Sequence, residues 1–309
     1  MYAILIIGSG AMANAFAAKF SQNINCTIQL FSDWEQGNQA IQQNGIHFKQ
    51  GETIQHIPPL FATHQVEQLS PADLVLVLVK SWQTQAVVSQ IQEKLLPSGV
   101  CVTLQNGLGN FEILYQLFGP QRVNLGTTTL GAVLKSPGNV QVHMQGNISI
   151  GEHPSNSWIL PLFQSAGFTI ECVPDLDSIV WGKLLINAVI NPLTALLQIP
   201  NGGLDDDAHS LALADAIIDE IQQLIKIKQI SLPYPDPHQR IREIIKQSET
   251  NYSSMFQDWQ RNAPTEIESI TGAILKEAAG CNLEMPVNQT LYHLVKSDIS
   301  RKMNSQNNR

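Results

Sequence analysis

Charge is scarce in this chain, and what there is leans acidic. Only 14% of the 309 residues are Asp, Glu, Lys or Arg, and they sum to −8. The pI is about 5.4. No basic stripe runs through the sequence, which argues against nucleic acid as a partner. Cysteine is sparse too. Cys26, Cys101, Cys172 and Cys281 stand singly, with no Cys-x-x-Cys pair. That excludes a disulfide scaffold and reads as reduced thiols in a cytosol. The eight histidines show no metal-ligand spacing, so no metal is expected. Internal repeats and low-complexity segments are missing. So is an uncharged apolar run of about 18 residues, and no membrane span is expected. The apolar stretch from Ala3 to Phe16 contains Ala-Met-Ala-Asn-Ala, but no Lys or Arg precedes it and Gly8 and Gly10 interrupt it. It does not read as a signal peptide. The expectation is a soluble cytoplasmic protein, monomer or homodimer, binding neither nucleic acid nor membrane.

Hydrophobic residues make up 43% of the chain, and its length suffices for two domains with real cores. The first half alternates strand and helix. Ala3–Ile7 and Thr27–Phe31 are apolar strands, with a turn and a helix to about Ser21 between them. Leu74–Val79 is a continuous apolar run, as in a central strand buried on both faces. Gln83–Leu96 is expected to be helical up to Pro97-Ser-Gly99, and Val100–Leu104 is a further strand. This pattern predicts an α/β fold with a Rossmann-type doubly wound sheet. Segments 123–151 and 168–173 are expected to extend it. After about Pro174 strand signals vanish. Helices are predicted over 178–198, 208–229, 237–249, 264–280 and 287–299, with a frayed tail from Lys302 to Arg309. The domains are therefore expected at 1–173 and 174–309, the second all-helical.

The run Trp181-Gly-Lys-Leu-Leu-Ile-Asn-Ala-Val-Ile-Asn-Pro192 is the most informative stretch. Lys183, Asn187 and Asn191 are spaced four apart, so a helix places them on one stripe in an otherwise apolar segment. Burying a Lys and two amides is costly unless each finds a partner. Two readings stay open. A snorkelling Lys could accompany two satisfied core amides. Alternatively, the seam could face a ligand that needs a proton donor and several hydrogen bonds.

At the other end, Gly8-x-Gly10-x-x-Ala13 follows a strand and opens a helix. Gly8 suits a tight turn, Gly10 a close approach to a pyrophosphate, and Ala13 close helix–strand packing. A nucleotide is expected on Gly8, Ser9, Gly10, Ala11, Met12 and Ala13. Asp33 closes the second strand, where a carboxylate accepts from a ribose 2′-hydroxyl and favours NAD. It could equally cap the next helix. Lys80 and Asn106 follow two of the strands at their carboxyl ends, where such sheets bind ligands.

The nucleotide turn, Val79-Lys-Ser-Trp-Gln83, Gln105-Asn-Gly-Leu-Gly109, Gly126-Thr-Thr-Thr129 and Lys183…Asn187…Asn191-Pro-Leu-Thr194 occur in order. Pro200-Asn-Gly202, Asn251-Tyr-Ser-Ser-Met-Phe-Gln-Asp258 and Thr265-Glu-Ile267 follow. With these motifs the chain resembles the ketopantoate reductases (2-dehydropantoate 2-reductases) over about residues 4–298. The resemblance implies a Rossmann domain joined to an all-helical one, like the 6-phosphogluconate dehydrogenases. It also implies NADPH-dependent reduction of a small 2-oxoacid, 2-dehydropantoate, to pantoate on the route to pantothenate and coenzyme A. Carried over, Lys183 is the general acid. Asn106, Asn187, Asn191, Asn201, Asn251 and Ser254 contact substrate. Glu266 holds Lys183 and touches cofactor or substrate. Gly8 to Ala13, Lys80, Asn106 and Ala132 line the cofactor. Two positions depart from the family pattern. Ala13 stands where the turn usually ends in Gly. Asp33 stands near where an Arg often meets the 2′-phosphate, which opens NADH beside NADPH. The alternatives are a related 2-oxoacid or 3-hydroxyacid reductase and a nicotinamide-binding sensor without turnover.

Overall fold

The computed structural model describes residues 1–307. The chain parts into two compact units. One holds Met1–Gln105 and Gly109–Leu176; the other holds Asn106–Leu108 and the chain from Asp177 onward.

The first unit opens with β1 (Tyr2–Ile7), α1 (Ala11–Phe20), β2 (Cys26–Phe31) and α2 (Glu35–Asn44). A hairpin of β3 (Ile46–Gln50) and β4 (Thr53–Ile57) precedes β5 (Phe61–Thr63) and β6 (Ala72–Val77). Then come α3 (Thr84–Gln90), β7 (Leu95–Thr103), α4 (Asn110–Phe118) and β8 (Val123–Thr128). β9 (Gly131–Ser136), β10 (Asn139–Met144), β11 (Asn147–Ile150), α5 (Asn156–Ser165) and β12 (Thr169–Cys172) complete it. Eight strands form one sheet in the order β12-β11-β8-β7-β6-β1-β2-β5. The six strands from β8 to β5 run parallel, while β11 lies antiparallel to β8. Ile4 to Ile7 and Leu74 to Val77 are fully buried, because central strands covered on both faces have no solvent side. The chain winds outward from β1 to β2 and β5, then returns to β6 on the other side of β1. Open α/β sheets generally bind ligands at such a reversal, which here lies at the carboxyl end of β1.

Two expectations for this unit are corrected. Strands β9 and β10 do not extend the main sheet. They pair with each other, and β10 pairs with β3, giving a second sheet in the order β4-β3-β10-β9. The cause is α1, which is buried from Ala13 through Phe20 and leaves no polar face for water. Phe16 shares a core with Ile46, Phe48, Val140 and Val142 of the second sheet as well as Ile4 and Leu74 of the first. The helix expected over Gln83–Leu96 is also shorter. Beyond Gln90, Ile91 leaves helical geometry at φ −102° and ψ 10°. Leu95 then pairs with Ala72 and begins β7. The polar Gln92-Glu-Lys94 offers no further apolar face to a helix.

Among its described residues the second unit has no strand. Its helices are α6 (Leu176–Leu197), α7 (Ala208–Ile227), α8 (Pro237–Gln247), α9 (Ser254–Gln260), α10 (Ala273–Gly280) and α11 (Pro286–Asn307). Asp207 caps α7 by accepting from Ser210 N–H at 2.8 Å, and Asp236 caps α8 by accepting from Gln239 N–H at 3.1 Å. The helix expected over 264–280 enters α10 through a π-helical turn, Glu268–Gly272. α11 runs on through Asn307, past the expected end and through most of the tail expected to fray, since neither Gly nor Pro follows Pro286 within it. Asn308 and Arg309 lie outside the described residues. α6 is the one helix among the described residues that is long and apolar enough, by length and composition, to cross a membrane, with an 18-residue window of mean hydropathy 1.5. Lys183 lies in every such window, so the run is not an uncharged one. That window is 67% buried inside the protein, as befits a core helix.

Candidate functional site

The glycine turn sits at the carboxyl end of β1. Gly8 adopts φ +124°, a region that favours glycine, and its N–H donates to Phe31 O at 2.8 Å. Gly10, the N-cap of α1, has ordinary extended torsions. A Cβ there would meet nothing within 4 Å. Neither backbone strain nor protein packing therefore requires a glycine at position 10. An outside group approaching the backbone would require one, and a helix N-terminus favours an anionic group. The turn thus fits a dinucleotide pyrophosphate. Ala11 and Met12 are half-buried behind it, and Ala13 is fully buried against the strands.

Buried hydroxyls tie this turn to the end of β2. Ser9 Oγ and Ser32 Oγ stand 2.6 Å apart, and Ser32 Oγ donates to Asn38 Oδ1 at 3.0 Å. Asn38 Nδ2 returns a bond to Ser32 O at 2.7 Å. Asp33 is exposed beside them. It does not cap α2, whose N-cap is Trp34 without a side-chain cap bond, and that alternative is set aside. Lys80 is half-buried just beyond β6, opening a turn in which its N–H donates to Gln83 Oε1 at 3.3 Å. Ala132 lies half-buried on β9, opposite Val142 of β10, in the second sheet.

The second unit gathers the other candidates. α6 carries Lys183, Asn187 and Asn191 on one stripe. Asn191 is buried at 7% exposure, whereas Lys183 and Asn187 keep part of their surface open. Desolvation pushes the Lys183 ammonium down to about 8, against the upward pull of the Glu266 carboxylate. Glu266 is itself buried, and Asn106 Nδ2 points at its Oε2 from 3.5 Å, the long end of a hydrogen bond. Lys, carboxylate and amide thus meet although 160 residues separate Asn106 from Glu266. Asn201 and Asn251 form a second group, with Asn201 N–H donating to Asn251 O at 2.9 Å. Asn201 Nδ2 donates to Ser248 Oγ at 2.9 Å, while its buried Oδ1 has no partner among the described residues. A buried acceptor left open is unusual in a native fold and calls for an explanation. Ser254 is exposed at the start of α9.

Comparison with known proteins decides the family. A family described as Ketopantoate reductase PanE/ApbA matches residues 4–155, and its C-terminal counterpart matches residues 175–298. The chain belongs to the ketopantoate reductase family. A 2-dehydropantoate 2-reductase of Archaeoglobus fulgidus is 33% identical over 242 residues, covering 77% of this chain and 79% of its own. One from Vibrio cholerae is 27% identical over 300 residues, covering 95% and 97%. The crystal structure of a PanE/ApbA family ketopantoate reductase from Ralstonia eutropha superposes with a TM-score of 0.91 at 25% identity, covering 97% of this chain and 99% of that one. D-mandelate dehydrogenase, solved with NADH and anilino(oxo)acetate, shares the fold at a TM-score of 0.87 and 21% identity, covering 97% of this chain and 99% of its own. As a ketopantoate reductase family member, this chain is an oxidoreductase.

Three residues of this ketopantoate reductase family chain hold the candidates in place without having been singled out. Leu108 N–H donates to Ser269 O at 2.8 Å. Gly107, at φ +81°, lies so close that a Cβ there would fall 2.3 Å from Ser269 O. These contacts press the Asn106 loop onto the π-helical turn next to Glu266. Thr194 Oγ1 donates to Ser253 Oγ at 2.7 Å, fastening α6 to the start of α9. The signals were there: an Asn-Gly pair, and a hydroxyl three residues beyond Asn191 on the same stripe.

Proposed function

We propose that this chain reduces 2-dehydropantoate to pantoate, on the route to pantothenate and coenzyme A, with NADPH as the expected cofactor and NADH open to it because of Asp33. One observation carries the reading: a desolvated lysine beside a buried carboxylate, on a helix whose further polar stripe is two asparagines. The Gly8–Ala13 turn would take the pyrophosphate, with Lys80, Asn106, Ala132 and Glu266 toward the rest of the cofactor. When bound, a reduced nicotinamide supplies a hydride to the ketone carbon. The carbonyl π pair then moves onto oxygen, and Lys183 Nζ gives that oxygen its proton. A pKa near 8 leaves the ammonium mostly protonated at neutral pH, yet makes it a strong enough acid to part with the proton. Glu266 keeps the charged form populated, and solvent restores the proton afterwards. Asn106, Asn187, Asn191, Asn201, Asn251 and Ser254 offer donors and acceptors to a carboxylate and a hydroxyl, and the open Oδ1 of Asn201 suits a substrate hydroxyl. Cofactor oxidation, measured over a panel of 2-oxoacids that includes an aromatic one, with NADPH and NADH side by side, tests the reading. Turnover of 2-dehydropantoate above the others supports it. Preference for another 2-oxoacid assigns a related reductase, and cofactor binding without any turnover assigns a sensor.

A further inference from the structure

Tryptophans are mostly buried in folded proteins. In the first unit Trp34 keeps 37% of its surface open, yet it rests on a built seat. It follows Ser32 and Asp33 at the end of β2 and caps α2, with Asn38 N–H donating to its carbonyl at 3.1 Å. Its own N–H donates to Ser32 Oγ at 3.3 Å, and that hydroxyl is bonded to Ser9. Gly37 lies beneath the ring. A Cβ there would fall 2.3 Å from Trp34 Cε3, 2.8 Å from Cζ3 and 2.8 Å from Ser9 Oγ. One point so close to both makes the indole an immediate neighbour of Ser9 in the nucleotide turn. Gly37 has no positive φ to demand glycine, and glycine inside a helix is destabilising relative to alanine. What it provides is room for the indole to pack close against the first turn of α2.

We propose that the Trp34 indole is the stacking platform for the adenine base of the dinucleotide. The proposal rests on the cofactor reading above. In a doubly wound fold the end of β2 meets the adenosine ribose, and the base is the next group along. An aromatic face binds a base by stacking and gains nothing from a 2′-phosphate. Trp34 therefore contributes equally to NADPH and NADH, whereas Asp33 changes their ratio.

Equilibrium titrations test this without turnover. Dissociation constants are measured for NADPH, NADH, ADP-ribose and reduced nicotinamide mononucleotide, and ADP-ribose binding is also followed by quenching of indole fluorescence. Trp34→Ala is expected to weaken the first three by about 5- to 100-fold and leave the mononucleotide unchanged. Trp34→Phe should keep most of the affinity but lose the wild-type quench. Gly37→Ala, which lifts the ring while keeping it, should weaken the same three ligands. Wild-type binding of NADPH with Trp34→Ala within about two-fold for all ligands overturns the platform alone. So does a loss confined to one cofactor, or a quench that survives in Trp34→Phe. A wild-type protein that binds neither NADPH nor NADH overturns the cofactor reading itself.

Discussion

Replacing Glu266 by Gln keeps the side chain's shape and removes its charge. Glu266 opposes the desolvation that brings Lys183 down to about 8. With Lys183 as the proton donor proposed above, reduction needs the ammonium, so activity is expected to be full below that pKa and lost as pH rises through it. At pH 7 a group of pKa 8 is roughly nine-tenths protonated. A neighbouring opposite charge is typically worth about 1–3 pKa units. Without it the Lys183 pKa is expected at roughly 5–7, and the ammonium share at pH 7 falls to between about one-half and one-hundredth. Turnover at pH 7 should drop about 2- to 100-fold and recover as the pH is lowered. The assay is kcat for 2-dehydropantoate at saturating substrate and cofactor, from pH 5 to 10. Saturation keeps any binding role of Glu266 out of the comparison, because kcat reports groups in the ternary complex. An alkaline limb at the wild-type position in Glu266→Gln refutes the argument. A uniform loss at every pH does so too, since Glu266 would then act through something other than the proton on Lys183.

Lys183→Ala should lower kcat by about 10²–10⁴, with cofactor affinity within a few-fold, as separate steady-state and binding measurements would register. Near-normal turnover by the folded variant would leave Lys183 as a mere snorkelling side chain. Asn187→Ala and Asn191→Ala should act mainly through KM, by leaving substrate groups unpaired. 2-Dehydropantoate should be preferred over 2-oxoisovalerate, which lacks the distal hydroxyl, by up to ~10⁴ in kcat/KM, and comparable values would remove the substrate assignment. Asp33→Arg should raise the ratio of NADPH to NADH affinity; an unchanged ratio in a strongly NADPH-preferring wild type would mean that another residue meets the phosphate.

The legible parts of the fold were those in which one local pattern dominates. β1 and β6 are continuous apolar runs. α7 and α8 begin at Asp caps, and α8 has Pro237 at its first position. Each element announces itself within a few residues. The second sheet did not, because its cause lies elsewhere in the chain. β9 and β10 alternate like any strand pair, and nothing local says which sheet they join. The reason is the all-round burial of α1, whose Ala-Met-Ala-Asn-Ala-Phe-Ala-Ala run could equally be read as close packing on one sheet. Likewise Gln83–Leu96 carries apolar residues at helical spacing. Only the pairing of Leu95 with Ala72 shows that its end belongs to a strand.

The candidate site divides along the same line. The stripe of Lys183, Asn187 and Asn191 was legible because helical spacing and apolar neighbours are both local facts. The meeting of Glu266 with Asn106 was not. Glu266, in Thr265-Glu-Ile-Glu-Ser269, reads as an ordinary carboxylate in the first turn of a helix. It is buried instead, with a π-helical turn following it, and such turns are frequent at functional sites. Asn106 in turn sits in a chain segment surrounded by the first unit in sequence, yet Asn106–Leu108 packs with the second. Gly107 is what allows it. Its positive φ turns the loop, and its missing Cβ admits the Ser269 carbonyl. An Asn-Gly pair in a sequence announces a turn but not what the turn leans against. The contact that would place an amide beside the carboxylate governing Lys183 was therefore written in a residue whose side chain is absent.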